Sequence, residues 1–269
     1  MNKLLCICFL IFAPYPSFSQ TKQEIREFPE LQTVFGKYGM KGTLLILDRE
    51  KNILLGYNPA IWDSGYLPAS TFKIANTLIG LETGAIDSNY IFKWDGIPRR
   101  ISSWNRDLTL TEAFRVSCVP CYQEVARKIN AVRMKAYLDR LHYGQMEVHP
   151  ENIDLFWLEG NSRITPRQQL DFVKRLYEEK LPLSASVMKY VKAIMINEKT
   201  PEYILSGKTG WAIRNGNNYG WFVGYLETDF SVFFVATLIE PVDPYQINDF
   251  SAARKTICMD AFRLLKLIP

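Results

Sequence analysis

Apolar positions along this chain switch between two spacings. Thr43-Leu44-Leu45-Ile46-Leu47-Asp48 and Asn52-Ile53-Leu54-Leu55-Gly56-Tyr57 flank a charged turn, which predicts a β-hairpin. Ahead of it, Glu24 to Tyr38 reads as a short helix stopped by Gly39. After Pro68-Ala69 the spacing becomes helical, with Ile74, Leu78 and Leu81 on one stripe up to Gly84, so a helix is expected to begin near Ser70. Thr109 with Glu112 has capping-box spacing, Pro120 opens a second helix through Val125 and Ile129, and a third covers Val132 to Leu141. Thr165-Pro166-Arg167-Gln168 is a full helix start, and Ser184 to Ile196 is read as another helix. The last third changes character. Tyr203–Lys208, Tyr219–Glu227 and Phe230–Ile239 are β-branched and aromatic, separated by turn residues, and predict an antiparallel meander. A closing helix runs from about Asp249 to Leu267. Strands, helices, strands and a helix, in that order, predict an α+β fold. The amino-terminal hairpin joins the carboxy-terminal meander in one central antiparallel sheet, flanked by helices, with a helical lobe inserted between its halves.

Composition adds little to this and removes some functions. The 269 residues are 48% hydrophobic and 22% charged, enough to build a sizeable core. A net charge of +4 without a Lys/Arg run gives no ground for nucleic-acid binding. Lys3, the apolar run Leu4–Ala13 and the small residues of Ser17-Phe18-Ser19 make a secretory leader. That run is too short to span a bilayer, which takes about 20 residues. The expectation is a signal peptide at 1–19, one domain at 20–269, export to the periplasm and no stable membrane association afterwards. Past the leader stand Cys118, Cys121 and Cys258. Cys118-x-x-Cys121 lacks the second cysteine pair that zinc requires and the βαβ surroundings of a redox motif. A local disulfide and a pair of small buried thiols are both open.

The chemistry centres on Ser70 and Lys73. Three residues apart on a helix, a hydroxyl and an amine share a face and can touch. A serine at a helix start also sits among unpaired backbone N–H groups, which favour a developing oxyanion. Spelling alone is weak, because Ser186-Val187-Met188-Lys189 has the same form and reads as helix surface, and Trp221-Phe222-Val223-Gly224 duplicates a Trp-x-x-Gly. Order and spacing carry the signal: Ser117-Cys118-Val119 between two helices, Trp157-Leu158-Glu159-Gly160 in a loop, and Lys208-Thr209-Gly210 at the end of a strand. Together they make the walls of one cleft.

Ser70-Thr71-Phe72-Lys73, Ser117-Cys118-Val119, Tyr143-Gly144-Gln145, Trp157-Leu158-Glu159-Gly160 and Lys208-Thr209-Gly210 resemble, in order, the motif set of the class D (oxacillinase-type) serine β-lactamases. The match runs from about Gly42 to Arg254. One departure is plain: Gln145 stands where the family usually has asparagine. The class A pattern fits worse, since it needs Ser-Asp-Asn where this chain has Ser117-Cys118-Val119.

The resemblance implies a serine β-lactamase or penicillin-binding transpeptidase-like fold and β-lactam ring opening through a Ser70 acyl-enzyme. It implies that Lys73, neutral in a dry pocket, takes up CO2 and works as an N-carboxylated general base, with no metal or organic cofactor. Trp157 would donate to the carbamate, which Val119 and Leu158 would cap. Ser117 would relay a proton to the lactam nitrogen. Lys208, Thr209, Gly210, Trp211 and Arg254 would bind substrate, with Arg254 forking onto its carboxylate. The backbone N–H groups of Ser70 and Trp211 would form the oxyanion hole. Trp157 and Val119 are otherwise plain core, and Arg254 a solvated helix arginine. Penicillins are the default substrates; the spectrum depends on residues 94–105 and 211–218. Monomers and dimers both occur in such a family.

Other enzyme classes fit poorly. A Ser-His-Asp hydrolase or a zinc β-lactamase would have to use His142 and His149, the only histidines in the sequence. A penicillin sensor that stays acylated on Ser70 is the serious rival, and the leader in place of membrane helices speaks against it. A Ser-Lys peptidase acting on cell-wall peptides is a third reading.

Overall fold

The computed structural model describes residues 23–245, 247 and 249–269; the expected leader at 1–19 lies outside the described residues. The hairpin and the meander do join. β2 (Met40–Asp48) pairs antiparallel with β3 (Ile53–Tyr57) on one side and with β9 (Val232–Pro241) on the other, in register Leu44 to Thr237. Two further strands, β7 (Tyr203–Arg214) and β8 (Asn217–Thr228), complete the meander. With the edge strands β1 (Glu24–Glu27) and β6 (Ile196–Lys199), the sheet has seven strands in the order β1-β3-β2-β9-β8-β7-β6.

Both faces of this sheet are covered, which is why its central strands read as continuous apolar runs. Alternation sorts their side chains. Leu45, Leu47, Trp221, Val223, Phe234 and Ala236 face the helical lobe. Leu44, Ile46, Phe222, Phe233, Val235 and Ile239 face the opposite layer, made of α1 (Leu31–Lys37) and α8 (Phe250–Leu264). The lobe consists of α2 (Lys73–Glu82), α3 (Leu110–Arg115), α4 (Val119–Ile129), α5 (Ala131–Leu141), α6 (Pro166–Tyr177) and α7 (Ala185–Ile194). Two starts read from sequence are present as capping boxes: Thr109 with Glu112 on α3, and Thr165 with Gln168 on α6. Among the described residues no helix is long and apolar enough to cross a membrane.

Five sequence expectations need correction. The helix expected over 24–38 is only α1; Glu24–Glu27 instead lies parallel to β3, its backbone paired although its side chains are exposed. Ile196 does not end a helix but starts β6, a short, charged edge strand of the kind that carries no apolar alternation. Lys208-Thr209-Gly210 does not end its strand, since β7 continues to Arg214. Ser70 sits in a 3-10 turn, Ala69–Phe72, and the α-helix begins at Lys73. A small two-stranded sheet, β4 (Ile91–Phe92) with β5 (Leu108–Thr109), also ties off the stretch read as loop.

Candidate active site

The turn bearing Ser70 is held from three sides. Ala69 has φ +48°, in the left-handed region, and its N–H donates to the Trp157 carbonyl at 2.9 Å. Thr71 Oγ1 donates to the Pro68 carbonyl at 2.7 Å and accepts from Gln169 Nε2 at 2.7 Å. Ser70 itself stays partly exposed at the wall of the cleft. The next turn carries Lys73 inward, fully buried, with Nζ 3.0 Å from Ser70 Oγ. The sequence expected this pair to touch, and it does.

Burial pushes the Lys73 amine well below the usual lysine range, and the nearby Lys208 charge adds to the shift. Its other neighbour is the Tyr122 ring, 5.1 Å from Nζ. Trp157 is also fully buried and stacks on Phe72, with ring centroids 5.2 Å apart. Its indole Nε1 is buried and has no hydrogen-bond partner. A buried donor left alone is costly, so this position calls for an acceptor. Leu158, half-buried, packs into the same cluster.

Ser117 follows the end of α3 and adopts φ +56°. Val119 is the first residue of α4 and is partly buried. Cys118 and Cys121 form a disulfide, which decides the alternative the sequence left open. The stem of α3 also reaches the opposite wall, since Lys208 Nζ lies 5.7 Å from the Phe114 ring.

β7 forms that wall. Lys208 is 5% exposed, and burial, assisted by the Arg254 charge, lowers its amine to about 7. Gly210 passes so close to the Ser70 turn that a Cβ would stand 3.0 Å from the Pro68 carbonyl oxygen, and any side chain there would push the turn back by a few tenths of an ångström. The free edge of β7 can be read from the ladder. Gly207 N–H donates to Met195 and its carbonyl accepts from Asn197, both away from β8. Alternate residues of an antiparallel strand point the same way, so Thr209 and Trp211 present their N–H groups to the edge beside the Ser70 turn. Trp211 is fixed by its Nε1 bond to Asn218 Oδ1 at 2.8 Å and by its ring on Phe250, 5.0 Å away. Arg254, on α8, donates to the Gly210 carbonyl at 3.1 Å and to Ser251 Oγ at 2.8 Å, and its guanidinium lies 5.7 Å from the Trp211 ring. Among the described residues its hydrogen bonds go to Ser251 and Gly210, not to a carboxylate, and burial lowers it to about 10. A pocket of about 520 Å³ opens beside Lys208 and Thr209 and is lined also by Arg115 and Asn197.

Sequence reasoning missed the supports of this site. Gly220 pairs with Trp211, and a Cβ there would meet the Arg254 stem at 2.7 Å. A glycine inside a strand is the signal that could have found it. Tyr122 carried no signal beyond its apolar spacing on α4. The remaining motifs fall as read: Ser186 and Lys189 are exposed, Trp221 is sheet core, and His142 and His149 are exposed. Gln145 has an exposed side chain and exchanges two backbone bonds of 2.7 Å with Arg163, so its departure from the usual residue touches a structural loop.

Comparison with known proteins agrees with this geometry. Residues 47–261, well over half of the chain, match the penicillin-binding protein transpeptidase domain family. β-Lactamase OXA-5 of Pseudomonas aeruginosa is 38% identical over 232 residues, covering 85% of this chain and 86% of that protein. The crystal structure of a class D β-lactamase from Sebaldella termitidis superposes with a TM-score of 0.87 at 39% identity, over 92% of this chain and 100% of that one. The C-terminal domain of the Bacillus licheniformis BlaR penicillin receptor superposes with a TM-score of 0.85 at 27% identity, over 92% and 98%. On its motifs, its fold and these relatives, the chain belongs to the class D serine β-lactamases, built on the penicillin-binding transpeptidase fold.

Proposed function

We propose that this protein hydrolyses the β-lactam ring of penicillin-type antibiotics through an acyl-enzyme on Ser70, and so protects its exporting cell in the periplasm. The observation that carries the reading is Ser70 Oγ at 3.0 Å from a fully buried lysine amine held well below its usual range. A serine hydroxyl needs such a base to become a nucleophile.

Two features fit a carbamate on Lys73 Nζ. An uncharged amine is the form that reacts with CO2, and burial favours that form. The orphaned Trp157 Nε1 would be supplied with an acceptor, while Trp157, Val119 and Leu158 would keep the site dry. Carboxylated Lys73 supplies the general base for the reaction. Ser70 Oγ gives up its proton on the Lys73 side and bonds to the lactam carbonyl carbon, and the ring C–N bond breaks. Ser117 Oγ hands a proton to the departing nitrogen. The N–H groups of Ser70 and Trp211 receive the carbonyl oxygen as it gains charge. Lys208 and Arg254 bind the substrate carboxylate beside Thr209 and Gly210, and Trp211 offers an apolar wall. A water then replaces Ser70 on the acyl carbon and frees the enzyme.

The BlaR likeness favours a second reading, a receptor that acylates on Ser70 and stops. Excess penicillin separates the two. Many turnovers per enzyme, rising with added bicarbonate, are expected from the hydrolase; one equivalent consumed, with or without bicarbonate, would leave the receptor.

Two substitutions test the parts. Trp157→Phe keeps the stacking on Phe72 but removes the donor. Activity without added bicarbonate is expected to fall about 10–100-fold, with partial recovery at high bicarbonate. Full activity at low bicarbonate would remove the indole from the reading. Arg254→Ala is expected to raise KM for an anionic penicillin about 10–100-fold, as a charge-assisted hydrogen bond of about 1.5–3 kcal/mol is lost, with a smaller change in kcat. An unchanged KM would return Arg254 to the helix surface.

A further inference from the structure

The middle residue of Ser117-Cys118-Val119 is one end of a disulfide, and the other end, Cys121, lies in the first turn of α4. The turn it closes has little else to hold it on that side. Ser117 occupies left-handed backbone space, which is disfavoured for a residue with a Cβ. Upstream it is tied down by Ser117 N–H to the Phe114 carbonyl, 3.2 Å, and Cys118 N–H to the Ala113 carbonyl, 2.9 Å. Downstream the ties are weak. Pro120 has no N–H, Tyr122 N–H reaches the Cys118 carbonyl at only 3.4 Å, and Cys121 N–H points to Cys118 Sγ at 3.3 Å.

Just beyond the disulfide the chain is anchored firmly. The Tyr122 carbonyl accepts from Asn76 Nδ2 at 3.0 Å, its hydroxyl meets Thr77 Oγ1 at 2.8 Å, and its ring lies beside Lys73 Nζ. Asn76 and Thr77 belong to α2, the helix that also presents Lys73. The covalent bond therefore joins the neighbours of these two residues: Cys121 precedes the anchored Tyr122, and Cys118 follows Ser117, which bears the relay hydroxyl.

We propose that the Cys118–Cys121 disulfide positions Ser117 for proton transfer to the lactam nitrogen, and that a small dithiol reversibly weakens catalysis by opening it. This rests on the reading of Ser117 given above. In the opening step the dithiol's two sulfurs bond to each other and lose two protons and two electrons; the Cys118–Cys121 S–S bond breaks and each sulfur becomes a thiol. Access is provided by a pocket of about 300 Å³ lined by both cysteines, Trp104 and Gln123. Cys258 is buried in the core on the other face of the sheet and takes no part.

The test is single-turnover acylation by a chromogenic β-lactam, on oxidised enzyme, on enzyme reduced with dithiothreitol with its free thiols counted, on reoxidised enzyme, and on the Cys118→Ala/Cys121→Ala variant. Opening the disulfide is expected to slow acylation about tenfold, in line with the sensitivity of catalysis to small misplacements, with substrate affinity changed by less than about twofold. Reoxidation should restore the rate. In a Ser117→Ala background, opening the disulfide should change acylation by less than about twofold, because the group it positions is gone. Equal rates for oxidised and reduced enzyme overturn the proposal, and so does an equal loss in the Ser117→Ala background, which would mark a general loosening. Ser117→Ala without effect on acylation would instead remove the relay reading itself, and the proposal with it. If the double variant fails to fold, the reduction and reoxidation arms decide.

Discussion

Ser70→Ala is expected to lower kcat/KM for penicillins by at least about 10⁴-fold, the equivalent of about 5 kcal/mol of transition-state stabilisation. Removing a nucleophile leaves only binding and oxyanion stabilisation, and it removes the covalent route altogether. Three features of the site should survive the change. Ser70 Oγ is a partly exposed group whose contact is Lys73, so its loss leaves no cavity in the core. The turn is held by Thr71, Gln169 and the Trp157 carbonyl, none of which touches the hydroxyl. Lys208 and Arg254, the proposed carboxylate-binding pair, are left in place. Stability is therefore expected within about 0.5 kcal/mol of wild type. Steady-state kinetics and intact-protein mass spectrometry together check this. No acyl adduct should form, while unreacted penicillin still binds. Residual turnover above about one tenth of wild type, or an adduct on another residue, would overturn the assignment of the nucleophile.

Lys73→Met is expected to lower kcat by about 10²–10⁴-fold, the range of general-base catalysis, and at the same time to stabilise the fold. The two effects have one cause. A lysine free in the unfolded chain titrates near its ordinary value of about 10.4, whereas burial holds Lys73 well below that in the folded state. Between the two values the unfolded state binds one more proton than the folded one, so stability rises with pH across that window. At neutral pH the folded protein therefore bears a penalty that methionine, of similar length and apolar, does not. In CO2-depleted buffer the variant should melt at higher temperature than wild type near pH 7, and the gap should close as pH approaches 10. Lys208, held at about 7, contributes a slope of the same sign in both proteins, so the difference between them is diagnostic. The wild-type rate should also fall on the acid side, as protonation removes the free amine. A variant that melts lower at pH 7, or keeps more than about a tenth of the wild-type kcat, would remove Lys73 from the role of base.

Both outcomes could be framed from residues visible in the chain, because the proposed reacting pair is local. Ser70 and Lys73 are one helical turn apart, and any start near Ser70 brings them together, even though that start is a 3-10 turn. The helix caps were equally legible, since Thr109 with Glu112 and Thr165 with Gln168 each satisfy donors within four residues. The edge strands were not. Glu24–Glu27 and Ile196–Lys199 are strands only because β3 and β7 offer them backbone partners, and no side-chain pattern announces that.

The sequence by itself determined the contact of Ser70 with Lys73, the order of the motifs, the joining of hairpin and meander, and the family. Each of these is written in short-range spacing or in periodicity. Tertiary structure alone decided the rest: the burial that shifts Lys73, the lone indole N–H of Trp157, and the Trp211 N–H turned to the free edge of β7. It also decided the space that Gly220 leaves for Arg254, and the closure of Cys118 on Cys121 beside a left-handed Ser117. Most of these properties depend on the packing of segments distant in sequence, as Lys73 lies near Lys208 and Trp157 stacks on Phe72. Desolvation, unmet hydrogen bonds and steric room belong to the assembled surroundings of a residue, not to the residue.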